Sequence, residues 1–152
     1  MSELVELYAE YGDCLDEGDL ERWVDLFTED ASYRLTSREN HDLGLPLALV
    51  RCEGRAGLRD RAMAIGRTAV FRPRRMRHLI GAPRVVAGAD DDTIASRATF
   101  AVFETIEGEE TRVFLTGRSF DRVVREGGRL RFRERVCVFD ASLVPGSIVY
   151  PL

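Results

Sequence analysis

Apolar residues at Leu4, Leu7, Tyr8, Tyr11 and Leu15 return every three or four positions, which marks one face of a helix running from about Glu3 to Asp16. Gly18 ends that pattern. Asp19 then stands where an N-cap belongs, ahead of a second short helix carrying Leu20, Trp23, Val24 and Phe27. From Asp30 to Thr36 the period shortens to a strand. Residues 37–47 hold Asn, Asp, Gly and Pro without apolar periodicity and read as a long loop, followed by a short strand from Leu47 to Glu53. Leu58, Ala62, Met63 and Ile65 predict a third helix over Arg55–Thr68, and Pro73 stops its continuation.

Beyond that point the pattern is strand-rich. Four strands are expected over His78–Val86, Thr93–Ile106, Thr111–Val124 and Leu130–Phe139. Turns at Gly88-Ala-Asp-Asp, Glu107-Gly108-Glu109 and Glu126-Gly127-Gly128 separate them. In the last strand Leu130, Phe132, Val136 and Val138 point one way and Arg129, Arg131, Arg133 and Arg135 the other. Three helices followed by long hairpins predict an α+β fold, with helices packed on the concave face of a strongly curved, mainly antiparallel sheet. No repeat or linker divides the chain, so residues 1–152 are expected to form a single domain.

Composition narrows the function. All 22 basic residues are arginine, yet the net charge is −4, so there is no basic excess for nucleic acid. The local cluster Arg72, Arg74, Arg75 and Arg77 lacks the interleaved aromatics of a single-strand platform. The longest apolar runs fall far short of the ~20 residues that span a bilayer, and the acidic N-terminal stretch is unlike a leader; a soluble, cytoplasmic protein is expected. Cys14, Cys52 and Cys137 follow no metal or redox spacing and read as reduced and buried. Glu104 and Glu134 interrupt apolar strand faces, and each needs an arginine partner or a bulge that turns it outward.

The passage Trp23, Phe27, Asp30, Tyr33, then Arg38-Glu39-Asn40 and Gly44-Leu45-Pro46, precedes Arg77-His78-Leu79-Ile80. The chain then ends on Asp140-Ala141-Ser142-Leu143-Val144-Pro145 through Tyr150-Pro151-Leu152. That order resembles the small (β) subunit of aromatic-ring-hydroxylating dioxygenases, across nearly the whole chain. The resemblance implies the cone-shaped α+β barrel of nuclear transport factor-like, SnoaL-like and scytalone dehydratase-like proteins. It also implies a non-catalytic, structural role in aromatic hydrocarbon catabolism beside a large (α) subunit, in a hetero-hexamer. The Rieske 2Fe-2S cluster and the mononuclear iron would belong to that partner, and this chain would bind no metal or cofactor. Self-association is expected too, through the strand-rich half and its arginine rows.

Donor counting agrees with that division of labour. A Rieske centre takes two Cys and two His, and a facial triad takes two more His with a carboxylate, whereas this chain has only His41 and His78. A triad of His41, His78 and Asp30 remains arithmetically open. The rival reading is a stand-alone dehydratase, isomerase or cyclase with His78, Asp30 and Tyr33 in the cone, or a small-ligand binding module. His78 resembles the strand histidine of scytalone dehydratase. The next strand offers Ser96, Ala98 and Phe100 at its inward positions, so a second histidine is missing there. Against the rival, His78 also reads as a strand-end histidine in a structural hydrogen bond, Asp30 as a turn-fixing residue, and Trp23, Phe27 and Tyr33 as core.

Overall fold

The computed structural model describes residues 2–68, 73–86, 92–142 and 151–152, without side chains at 67 and 68. Helix α1 (Ser2–Glu17) buries Leu4, Leu7, Tyr8, Tyr11, Cys14 and Leu15, the face predicted by their spacing. Gly18 closes it at φ 74°, a left-handed conformation that glycine adopts without a Cβ clash. The Asp19 side chain accepts from the Arg22 N–H at 3.1 Å and so caps α2 (Leu20–Asp25).

Strand β1 (Phe27–Ser37) begins three residues earlier than predicted. The segment expected to be a loop contains a short helix, α3 (Arg38–Asp42), capped by Ser37 accepting from Asn40 N–H. With five residues and no buried position, α3 has no apolar period to reveal it. Next come β2 (Val50–Glu53) and α4 (Gly54–Thr68). The strand expected over His78–Val86 is split and shifted: β3 spans Arg74–Ile80 and β4 only Arg84–Val85. Pro83 lacks the N–H that an unbroken ladder would need there. Strands β5 (Thr93–Ile106), β6 (Arg112–Glu126) and β7 (Arg129–Phe139) match the predicted hairpins within two residues. Arg72, the Gly88-Ala-Asp-Asp turn and Leu143–Tyr150 lie outside the described residues.

The sheet runs β2-β1-β7-β6-β5-β3, with β4 on β5, and it does not close. It is antiparallel apart from the parallel pair β1–β7. Helix α1 lies against β3 and β7, and α4 against β1 and β2, so these two longer helices cover the concave side as expected. Close strand approach is tightest at Gly117 on β6, where a Cβ would sit 2.1 Å from the Val138 carbonyl oxygen and 2.7 Å from Phe100 Cζ. Only glycine fits.

Alternation in β7 does not run through as predicted. Arg122 pairs with Glu134 and Val123 with Phe132, which leaves Arg133 as an extra, unpaired residue. This bulge reverses the phase. Beyond it Arg135, Cys137 and Phe139 point into the cone, while Val136 and Val138 turn to the outer face, where α3 packs against β7. Arg135 therefore leaves the arginine row and becomes a core residue. Arg129, Arg131 and Arg133 stay outside and pair within the chain, with Glu10, Glu126 and Asp30.

The other odd carboxylates find arginines. Glu104 is fully buried, between Arg74 and Arg112, both at 2.6 Å. Glu134 is half exposed and lies 3.4 Å from Arg122 and 3.8 Å from Arg34.

Candidate functional site

The interior of the cone is where a protein of this shape would hold a ligand, and here the chain's own side chains occupy it. Tyr8, Tyr11, Trp23, Phe27, Tyr33 and Phe132 meet mainly edge to face, with ring centres 5.2–6.5 Å apart. The predicted core of Trp23, Phe27 and Tyr33 is thus extended by two tyrosines of α1. Arg135 projects into this cluster, its guanidinium carbon 3.9 Å from the Tyr11 ring centre, 4.8 Å from Phe132 and 5.3 Å from Tyr8.

Burying that cation requires a counter-charge. Asp121 supplies it at 3.1 Å, and the same carboxylate accepts from the Tyr8 and Ser119 hydroxyls. Ser96 in turn bonds Tyr8 at 2.9 Å. Burial pushes the Asp121 carboxyl above the usual carboxylate range, against the charge of Arg135 and the hydrogen bonds it accepts. Burial also opposes the charge on Arg135, but Asp121 outweighs it and holds the guanidinium well above its usual value. An arginine that keeps its proton, 3.1 Å from a carboxylate with two further donors, makes an ionised pair at neutral pH.

Leu152 closes the other side of the cluster. Its carbonyl accepts from Tyr11 hydroxyl at 2.6 Å and from the Cys137 thiol at 3.0 Å, and its N–H donates to the Tyr33 hydroxyl at 2.9 Å. Burial pushes the Cys137 thiol up to about 11. Most polar atoms of this cluster are engaged by another part of the same chain, and among the described residues only Arg135 Nε and Trp23 Nε1 are buried there without a partner, so the interior is largely filled by the chain's own packed side chains.

His78, Asp30 and Tyr33 do not converge. Asp30 sits on the surface, accepting from Thr28 at 2.8 Å and pairing with Arg133 at 3.2 Å. Tyr33 is held by Leu152. His78 is bound instead by a residue that sequence reasoning missed: Asp16 Oδ1 lies 2.7 Å from its Nδ1 and 3.0 Å from its backbone N–H. Asp16 stands on the last turn of α1 and no spacing rule connects it to a strand sixty residues away. Burial works against ionising Asp16, but hydrogen bonds and charge from His78, aided by Arg77, keep its carboxyl below the ordinary range.

An oriented imidazole next to a carboxylate has the form of a general base, and His78 borders an open cleft of 510 Å³ with Val5, Tyr8, Ala9, Ile80 and Pro83. Its Nε2 is buried and without a partner among the described residues. Through its Nδ1 and backbone N–H, both held by Asp16, His78 joins α1 to β3.

The described residues do not fit a metal centre. His41 stacks on Phe120 with ring centres 4.8 Å apart, on the outer face, whereas His78 binds Asp16 beneath α1. The three cysteines are buried and separate. Among the described residues, no group of three or more His, Cys, Asp or Glu could hold an ion. No described helix is long and apolar enough to cross a membrane.

Comparison with known proteins follows the same line. A SnoaL-like domain model matches residues 1–136. The anthranilate 1,2-dioxygenase small subunit of Burkholderia cepacia is 32% identical over 150 residues, covering 99% of this chain and 92% of that one. Subunit beta 2 of the terminal oxygenase component of terephthalate 1,2-dioxygenase from Comamonas sp is 33% identical, with 95% and 93% covered. A Novosphingobium aromaticivorans crystal structure, described as the β subunit of an aromatic-ring-hydroxylating dioxygenase, superposes with a TM-score of 0.87 at 34% identity. It spans 98% of this chain and 94% of its own.

Proposed function

The chain belongs to the SnoaL-like family of aromatic-ring dioxygenase small subunits, and from that premise we propose that it is the non-catalytic β subunit of a Rieske-type oxygenase. Its task is to brace a large subunit that carries the Rieske cluster, the mononuclear iron and the aromatic substrate, in a cytoplasmic hetero-hexamer. The observation that carries this reading is the filled cone. Arg135, Asp121, Tyr8, Tyr11 and Leu152 pack against and bond one another in the space where a cone-fold enzyme would receive its substrate. Two histidines in the whole chain are too few for both iron centres together, and they stand apart, His41 stacked on Phe120 and His78 bound to Asp16.

Co-expression with the cognate large subunit tests the proposal. A complex should co-elute with all its iron on the large subunit. His78→Gln should change yield or assembly while leaving turnover per intact iron centre near wild type. A drop of roughly 100-fold or more in turnover per iron would make His78 a general acid or base and overturn the structural assignment. So would unaided dehydration or isomerisation of a hydroxy-aromatic substrate by the purified chain.

A further inference from the structure

The outer face of the sheet carries charges that the fold leaves unused. Arg84 on β4 stands directly across from Arg97 on β5, and Thr99, two residues on, stands across from Arg118 on β6. All three arginines are exposed and border one depression of 310 Å³ together with Thr99 and Ala82. None has an ion pair or hydrogen bond among the described residues. Elsewhere arginines pair freely with carboxylates, as Arg22, Arg38, Arg55 and Arg125 do. Like charges directly opposite in a ladder destabilise it, so this cluster costs the isolated chain something and returns nothing to it.

The same face continues into an apolar stretch. His41 of α3 stacks on Phe120, which is two residues from Arg118 on β6 and directly across from Arg97. Thr36 donates to the Leu47 carbonyl at 2.7 Å, which holds the segment after α3 over β1. Within that segment Leu43, Leu45, Leu47 and Leu49 are each at least 43% exposed. Four exposed leucines within one seven-residue segment are a local concentration of apolar surface rather than singly scattered residues, and such concentrations mark contacts.

We propose that this face docks the large subunit. The leucine segment supplies the apolar part of the contact, and Arg84, Arg97 and Arg118 receive carboxylates from an acidic segment of that partner. The proposal rests on the β-subunit reading above. Arginine beside exposed apolar residues is the composition of a protein contact. A small anion would leave the three guanidinium groups in water, where such pairs are worth little, whereas a covering subunit desolvates them. A twofold contact between two copies through this face would set arginine against arginine, so charge complementarity favours a different, acidic partner.

The test is a pull-down and sizing series with the co-expressed large subunit. Arg97→Glu combined with Arg118→Glu should weaken its binding about tenfold or more, with far-ultraviolet dichroism and melting temperature unchanged. Arg97→Gln with Arg118→Gln should weaken it less, and added salt should weaken wild type more than either variant. Leu45→Ser with Leu47→Ser should weaken it with little change in salt dependence. Unchanged binding in the charge reversal, or loss of self-association with the large subunit still bound, would overturn the proposal. Failure of wild type to bind any large subunit would instead overturn the β-subunit reading itself.

Discussion

Arg135 and Tyr11 are the closest cation and ring in the cone, 3.9 Å apart, and they meet only because a bulge at Arg133 turns β7 over between Phe132 and Arg135. The contact makes a buried charge part of an aromatic core. It also makes that charge depend on Asp121, its ion-pair partner.

Removing one member of this pair leaves the other buried and alone. Arg135→Met should therefore cost about 3–5 kcal/mol in unfolding free energy, and Asp121→Asn a comparable amount. The double variant should cost clearly less than the two combined. Denaturant unfolding of all four proteins measures the coupling, and simple additivity would show that the pair does not act as a unit.

Gly117 offers a steric test. A Cβ there would overlap the Val138 carbonyl oxygen, a backbone atom held in the β6–β7 pairing, and cannot be relieved by a rotamer change. Gly117→Ala should lose stability at or beyond the upper end of the ~1–3 kcal/mol usual for overpacking. A melting temperature equal to wild type would mean that the strands are less closely apposed than described.

The Asp16 carboxyl is lower in the folded chain than its ordinary value of 3.8, because His78 and Arg77 outweigh the effect of burial. Its contribution to stability is therefore complete above the unfolded value and drains away as pH falls through the folded one. Acid titration of unfolding free energy should show a loss in that range for wild type and a flatter curve for Asp16→Asn. Equal slopes would remove Asp16 from the acid response.

Burial raises the Cys14 and Cys137 thiols to about 11. Few thiolates form at neutral pH, so both should resist an aromatic disulfide reagent in the native state and react at once in denaturant. Rapid labelling of either in native protein, read by mass spectrometry, would contradict the described packing.

Periodicity alone determined the elements whose signal is local. The spacing of Leu4, Leu7, Tyr8, Tyr11 and Leu15, the cap at Asp19 and the long alternation of β5 and β6 each act within a few residues of themselves. The inward set Ser96, Ala98 and Phe100 was legible for the same reason, since a side-chain period of two needs no knowledge of the partner strand. The arginine partners expected for Glu104 followed from the cost of burying a lone carboxylate, although their identity did not.

Tertiary structure decided what depends on register. One unpaired residue at Arg133 moved Arg135 from an outward row to the centre of the core, and nothing in the alternation of Arg129, Arg131, Arg133 and Arg135 marks which arginine is skipped. The meeting of Asp16 with His78, and of Leu152 with Tyr11 and Tyr33, joins positions far apart in the chain through packing of α1 and closure of the cone. Local propensity carries no record of such meetings. They arise because a curved sheet brings distant strands and α1 around one small volume, and the buried polar groups there must find partners in it or remain unsatisfied.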